Sequence, residues 1–154
     1  MQTERASVPV MAAWLGGLGA LPFVGLAVAV IGLDGLTRTV AIQALLGYGA
    51  VILSFLGGIH WGLAIAPGTQ PAEPALRVRL AWSVVPSLVG WAALLVTPVT
   101  GLFALAAAFA AMLGIDLRAS RLGAAPAWYP KLRVPLTLTV VAALLAAAVA
   151  LRVA

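Results

Sequence analysis

Few residues of this 154-residue chain have the means to do chemistry. It has one histidine, four carboxylates and no cysteine. His60 stands within LLGYGAVILSFLGGIHWG, residues 45–62, beside Trp61 and behind the pair Gly57-Gly58. An ionisable ring inside an apolar run is the first place to look for function. The absence of thiols excludes disulfides, thiolate metal sites and cysteine nucleophiles, and leaves the redox compartment open. One histidine cannot build a multi-histidine metal centre, and the chain lacks GxSxG, HExxH and any pair of carboxylates. It therefore reads as a non-enzyme, with no metal site and no cofactor expected. A single histidine remains available as an axial haem ligand. A proton-coupled transporter fits poorly, because only His60 is clearly intramembrane and no paired repeat is visible.

The elements that would position His60 follow from composition. The chain is 64% hydrophobic and only 8% charged, with a mean hydropathy of +1.14. Soluble domains carry about 25% charged residues, and a soluble core of this size cannot hide so much apolar surface. The surplus must face lipid, so the expected fold is all-α: one integral membrane bundle of five transmembrane helices over residues 1–154. Apolar periods place the helices at about 8–33, 39–66, 78–96, 102–117 and 134–151. The first is too long for a signal-peptide core and lacks a basic head, so it reads as a membrane helix. Small-residue spacings, Ala12-Gly16-Ala20, Gly58-Gly62 and Ala106-Ala110-Gly114, allow close helix approach. Pro22 is expected to kink the first helix, and Pro135 to sit in the first turn of the fifth.

Charge sets the expected orientation. With five helices, Arg5, Arg77, Arg79, Arg118, Arg121, Lys131 and Arg133 fall on one side, and Arg38 and Arg152 on the other. The positive-inside rule then puts the N-terminus in the cytoplasm and the C-terminus outside, in a multi-pass protein of the cell inner membrane. The basic residues are scattered over loops, so they point to lipid headgroups and topology, not to nucleic acid.

This topology gathers the unusual residues at the inner leaflet: His60, Trp61, Trp82, Ser83, Asp116, Trp128 and Tyr129. Two interpretations compete. In one, the tryptophans and Tyr129 form an aromatic belt, Asp116 meets an arginine or water, and His60 bonds to Ser83 or a backbone carbonyl. In the other, His60, Trp61, Ser83, Asp116, Trp128 and Tyr129 form a ligand-binding pocket, with the loop arginines, for an anionic lipid, a quinone headgroup or a haem propionate.

Four stretches carry a resemblance: Ala20-Leu21-Pro22-Phe23, the run from Tyr48 to Gly62, Ser83-Val84-Val85-Pro86-Ser87-Leu88, and Ala127-Trp128-Tyr129-Pro130-Lys131-Leu132-Arg133. They resemble the transmembrane protein 69-like family, a domain of unknown function (3429) found in proteobacteria and mitochondria. The richness in Ala, Leu, Gly and Val suits a bacterial member. The resemblance covers nearly the whole chain and implies a small multi-helix inner-membrane protein, with no activity, ligand or partner to carry over. Two functions are expected from the residues. The first is an accessory subunit or assembly factor of a larger, respiratory-type membrane complex, partnered by other membrane-protein subunits and the lipid bilayer. The second is a binder or carrier of a small amphipathic ligand around His60.

Overall fold

The computed structural model describes residues 7–66 and 73–153. The described chain is all-helical, with α1 Val10–Gly32, α2 Gly35–Ile65, α3 Glu73–Ala93, α4 Pro98–Arg121 and α5 Tyr129–Val153. Among the described residues, α1, α2, α4 and α5 are long and apolar enough to cross a membrane. In hydrocarbon every backbone N–H and C=O must be met inside its own segment, which is why uninterrupted apolar sequence becomes helix. By length and composition α3 falls short of the other four, because Glu73, Arg77 and Arg79 crowd its start. It nonetheless lies along α2. A Cβ on Gly57 would overlap the Ser83 carbonyl oxygen, and one on Gly90 would lie 3.1 Å from the Ala50 backbone. The two helices thus run antiparallel, with almost no side chain between them.

Close approach therefore occurs at glycines other than those expected. A Cβ on Gly58 or Gly114 would meet nothing within 4 Å, and Gly62 is equally open. Those three glycines face outward, although Ala106 of the α4 spacing is buried in the core, while Gly57, Gly90 and Gly101 make the tight contacts with the backbone of a neighbouring helix. Gly16 does pack inward, against Leu132 and Leu136 of α5.

The bundle is a ring in which α1 touches α2 and α5, α3 touches α2 and α4, and α4 touches α5, with α2 also meeting α4 across the middle. Its core is Phe23, Leu45, Leu53, Leu102, Leu105, Phe109 and Leu144, all fully buried. Phe23 is the centre: its ring lies 5.0 Å from Tyr48 and 5.7 Å, edge-on, from Phe109. Tyr48 Oη donates to the Gly19 carbonyl at 2.9 Å and so ties α2 to α1.

Helix ends depart from expectation in ways that matter for the site. Asp116 does not close α4, which continues to Arg121. The fifth helix begins at Tyr129, not near Val134, so Pro135 lies inside it. The charges of Lys131 and Arg133 look like a loop in sequence, but Arg133 is buried and belongs to a helix. Likewise α2 starts at Gly35, after a turn in which that residue takes φ +59°, and α3 starts at Glu73 and stops at Ala93. Arg5 lies outside the described residues.

Candidate functional site

Three charged or ionisable side chains from three helices meet inside the bundle. His60 Nε2 lies 2.8 Å from Asp116 Oδ1. Arg133 Nε donates to Asp116 Oδ2 at 2.7 Å. A carboxylate only accepts, so the imidazole N–H belongs on Nε2 and points at Asp116. Asp116 is 1% exposed and Arg133 7%, whereas the His60 side chain is 17% exposed. Asp116 is thus a sealed anion, neutralised by arginine on one oxygen and oriented by histidine on the other.

The local folding that builds this cluster is legible. His60 and Asp116 each lie one to two turns before the C-terminal ends of α2 and α4, and Arg133 lies just over one turn after the start of α5. At 1.5 Å rise per residue these are depths of roughly 6–8 Å from one end of the bundle. Helix α2 has 31 residues and so spans roughly 46 Å, against a hydrocarbon core of roughly 30 Å. An ionic cluster this close to the helix ends lies toward the interface, where its cost is lower than at mid-bilayer.

Arg133 is delivered by the turn between α4 and α5. Gly123 takes φ +71°, its N–H donates to the Ser120 carbonyl at 3.1 Å, and the Ala124 N–H donates to the Ala119 carbonyl at 2.9 Å. This paired closure is a Schellman cap, and it needs a residue that tolerates the left-handed conformation. The chain reverses through Trp128, whose ring meets Tyr129 edge-on at 6.0 Å.

Two cavities flank the ion cluster. One, of about 600 Å³, lies between α2, α3 and α4 and is lined by His60, Arg79, Trp82, Ser83, Met112 and Arg118 among others. The other, of about 340 Å³, lies between α1, α2 and α5 and is lined by Tyr129, Arg133 and Thr137 with apolar neighbours. Asp116 lines neither cavity and separates the residues that do.

The six residues expected to share one pocket are therefore divided. His60 and Ser83 line the larger cavity, Tyr129 lines the smaller, and Asp116 is buried between them. Trp61 faces outward and Trp128 lines neither cavity. His60 bonds to Asp116, not to Ser83, whose hydroxyl donates to the Leu80 carbonyl at 2.7 Å. Sequence reasoning counted Arg133 only among the loop arginines around the pocket and left Thr137 out of the site. The available signal was the spacing of Tyr129, Arg133 and Thr137, four residues apart on one helix face.

A family model for a protein of unknown function (DUF3429) matches residues 8–149. The chain belongs to this family. Transmembrane protein 69 of Xenopus tropicalis is 35% identical over 133 residues, covering 86% of this chain and 51% of that protein. Transmembrane protein 69 of Mus musculus is 48% identical over 50 residues, covering 32% of this chain and 20% of that protein. The chain thus spans about half the length of the frog relative. No solved structure matches it. The DUF3429 chain is a membrane protein of a family without an assigned function, and its apolar helix faces are suited to contact with lipid.

Proposed function

We propose that the protein is a non-enzymatic, multi-pass protein of the inner membrane that binds a small anionic amphiphile in the larger cavity. The observation that carries this is the composition of the cavity wall. His60 stands in it, backed by the buried Asp116, with Arg79 and Arg118 alongside and Leu63, Val78, Met112 and Ile115 supplying an apolar surface. Its volume of about 600 Å³ falls within the 300–1,000 Å³ of small-molecule sites. Two guanidinium groups favour a carboxylate or phosphate head, and the apolar wall favours a chain or ring system.

The test compares oleate with oleyl alcohol on the purified protein in mild detergent. Oleate should bind more tightly, and the Arg79→Gln/Arg118→Gln double variant should lose roughly 10–30-fold in affinity, at about 1 kcal/mol per arginine near an anionic group. His60→Leu should weaken binding while the Asp116–Arg133 pair keeps the bundle folded. Equal binding of the alcohol, or an unchanged double variant, refutes the proposal.

The orientation we propose places the cation-rich end, with Arg77, Arg79, Arg118, Arg121 and Lys131, in the cytoplasm and the C-terminus outside, all five helices crossing. The second function, an accessory or assembly role in a larger membrane complex, is favoured by the outward-facing, uncovered Gly58, Gly62 and Gly114, which allow another helix to approach closely. Co-purification of a stoichiometric membrane subunit, lost on Gly58→Leu, would support it, and a lone monomer from native membranes would count against it.

A further inference from the structure

Three unpartnered polar atoms lie buried just behind the wall of the smaller cavity. Tyr129, Arg133 and Thr137 occupy one face of α5 at a spacing of four. They are 9%, 7% and 2% exposed. Among the described residues, Tyr129 Oη, Arg133 Nη2 and Thr137 Oγ1 have no hydrogen-bond partner. All three residues line the same cavity of about 340 Å³. Buried polar atoms are nearly always partnered, because leaving one unmet forfeits its hydration without return. Thr139, two residues on, takes the usual way out: its hydroxyl donates to the Pro135 carbonyl at 3.0 Å. Thr137 does not.

The rest of the wall is apolar, with Leu15, Phe23, Ile52, Phe109 and Leu136. A water occupies about 30 Å³ and needs two to four polar partners. Water suits only these few polar atoms, and the rest of the cavity is an apolar surface that opens outward at Leu15 and Phe55. A molecule with a polar tip and an apolar body fills both.

The atoms also state what the tip must be. Arg133 Nη2 can only donate, and both hydroxyls are able to donate, so the shared preference is for an acceptor oxygen. Charge narrows it further. Asp116 already neutralises Arg133 through the 2.7 Å bond to Nε. An anion would leave excess negative charge against an apolar wall, which is costly, whereas an uncharged oxygen leaves the balance as it is. We propose that this cavity is a second ligand site, which takes a lipid-soluble molecule by its uncharged carbonyl oxygens, met by donors among Arg133, Tyr129 and Thr137 along this face of α5. A quinone and the ester group of an acyl lipid both present that chemistry. The site is independent of the larger cavity and of the anionic ligand proposed there.

The test uses 2-methyl-1,4-naphthoquinone and the whole protein purified in dodecyl maltoside, with binding read by equilibrium dialysis and by shift of the melting point. The variant is Tyr129→Phe/Thr137→Val, which removes both hydroxyls and leaves the Arg133–Asp116 pair in place. Affinity should fall at least about tenfold, the loss expected for two hydrogen bonds to a ligand. Without ligand the variant should melt no lower than the parent, since two unmet hydroxyls are gone. For the lipid source, the parent is reconstituted in diester or diether phosphatidylcholine of matched chains. Stabilisation by the diester form alone, lost in the variant, identifies an ester lipid as the occupant and supports the site. Four results overturn it: neither naphthoquinone nor diester lipid has any effect, the variant binds as well as the parent, oleate alone binds at this wall, or Arg79→Gln/Arg118→Gln removes naphthoquinone binding.

Discussion

The sharpest prediction concerns Asp116. Replacing it by asparagine preserves shape but removes the negative charge and one of the two acceptor oxygens, so the amide accepts from Arg133 or from His60 and not from both. The Arg133 guanidinium is then a cation at 7% exposure with no counter-ion among its described neighbours. Arginine cannot shed its proton, so the charge stays. Charge centres about 4 Å apart interact by about 4 kcal/mol at an effective dielectric near 20. Breaking a buried pair from one side costs about 3–5 kcal/mol. Asp116→Asn should therefore destabilise the bundle by about that amount. Arg133→Met should cost less, because the stranded carboxylate is able to take up a proton and arginine has no such escape. The Asp116→Leu/Arg133→Met double variant should return to within about 1 kcal/mol of the parent, since well-packed apolar replacements of buried pairs are often neutral. The assay is reversible unfolding in mixed micelles with increasing SDS, followed by tryptophan fluorescence and circular dichroism, with the Asp116→Leu and Arg133→Met singles closing a double-mutant cycle with the double variant. A cost below about 1 kcal/mol for Asp116→Asn, or a double variant that loses the sum of the two singles, would refute the argument that this pair is sealed from solvent.

Three further outcomes follow from the geometry. Gly57→Ala should destabilise the α2–α3 contact by about 1–3 kcal/mol, because the new methyl meets the Ser83 carbonyl; Gly58→Ala, which meets nothing within 4 Å, should be neutral or stabilising by about 0.5–1 kcal/mol, and the two melting points in detergent check this. Phe109→Ala should cost about 3–5 kcal/mol by emptying the ring position beside Phe23, measured by the same SDS titration. For orientation, the cysteine-free chain is a ready background for single-cysteine labelling. Thr97→Cys, at the α3–α4 turn, should react with an impermeant maleimide in intact cells, and Pro126→Cys, at the α4–α5 turn, only after permeabilisation; the reverse pattern would invert the proposed topology.

Class and environment were legible in the amino-acid sequence. Charge at 8% and hydrophobic content of 64% exclude a soluble core of this size, and uninterrupted apolar runs in lipid become helix because their backbone has no other partner. The choice of His60 and Asp116 was legible too, since a rare ionisable group in apolar sequence stands out. What the sequence left open was which way each helix faces. The helices are apolar on nearly every side, so polarity periodicity carries no orientation. The buried faces are set by side-chain size, and only the packed bundle distinguishes Gly57 against Ser83 from the uncovered Gly58. The same limit hid the site. Arg133 reads as a loop cation until α5 is seen to begin at Tyr129 and to carry the guanidinium inward to Asp116. Tertiary structure decided that His60, Asp116 and Arg133 share one cluster and that Tyr129 belongs to a different cavity. Those pairings join positions 17 and 56 residues apart in the chain, and no local rule of spacing reaches that far.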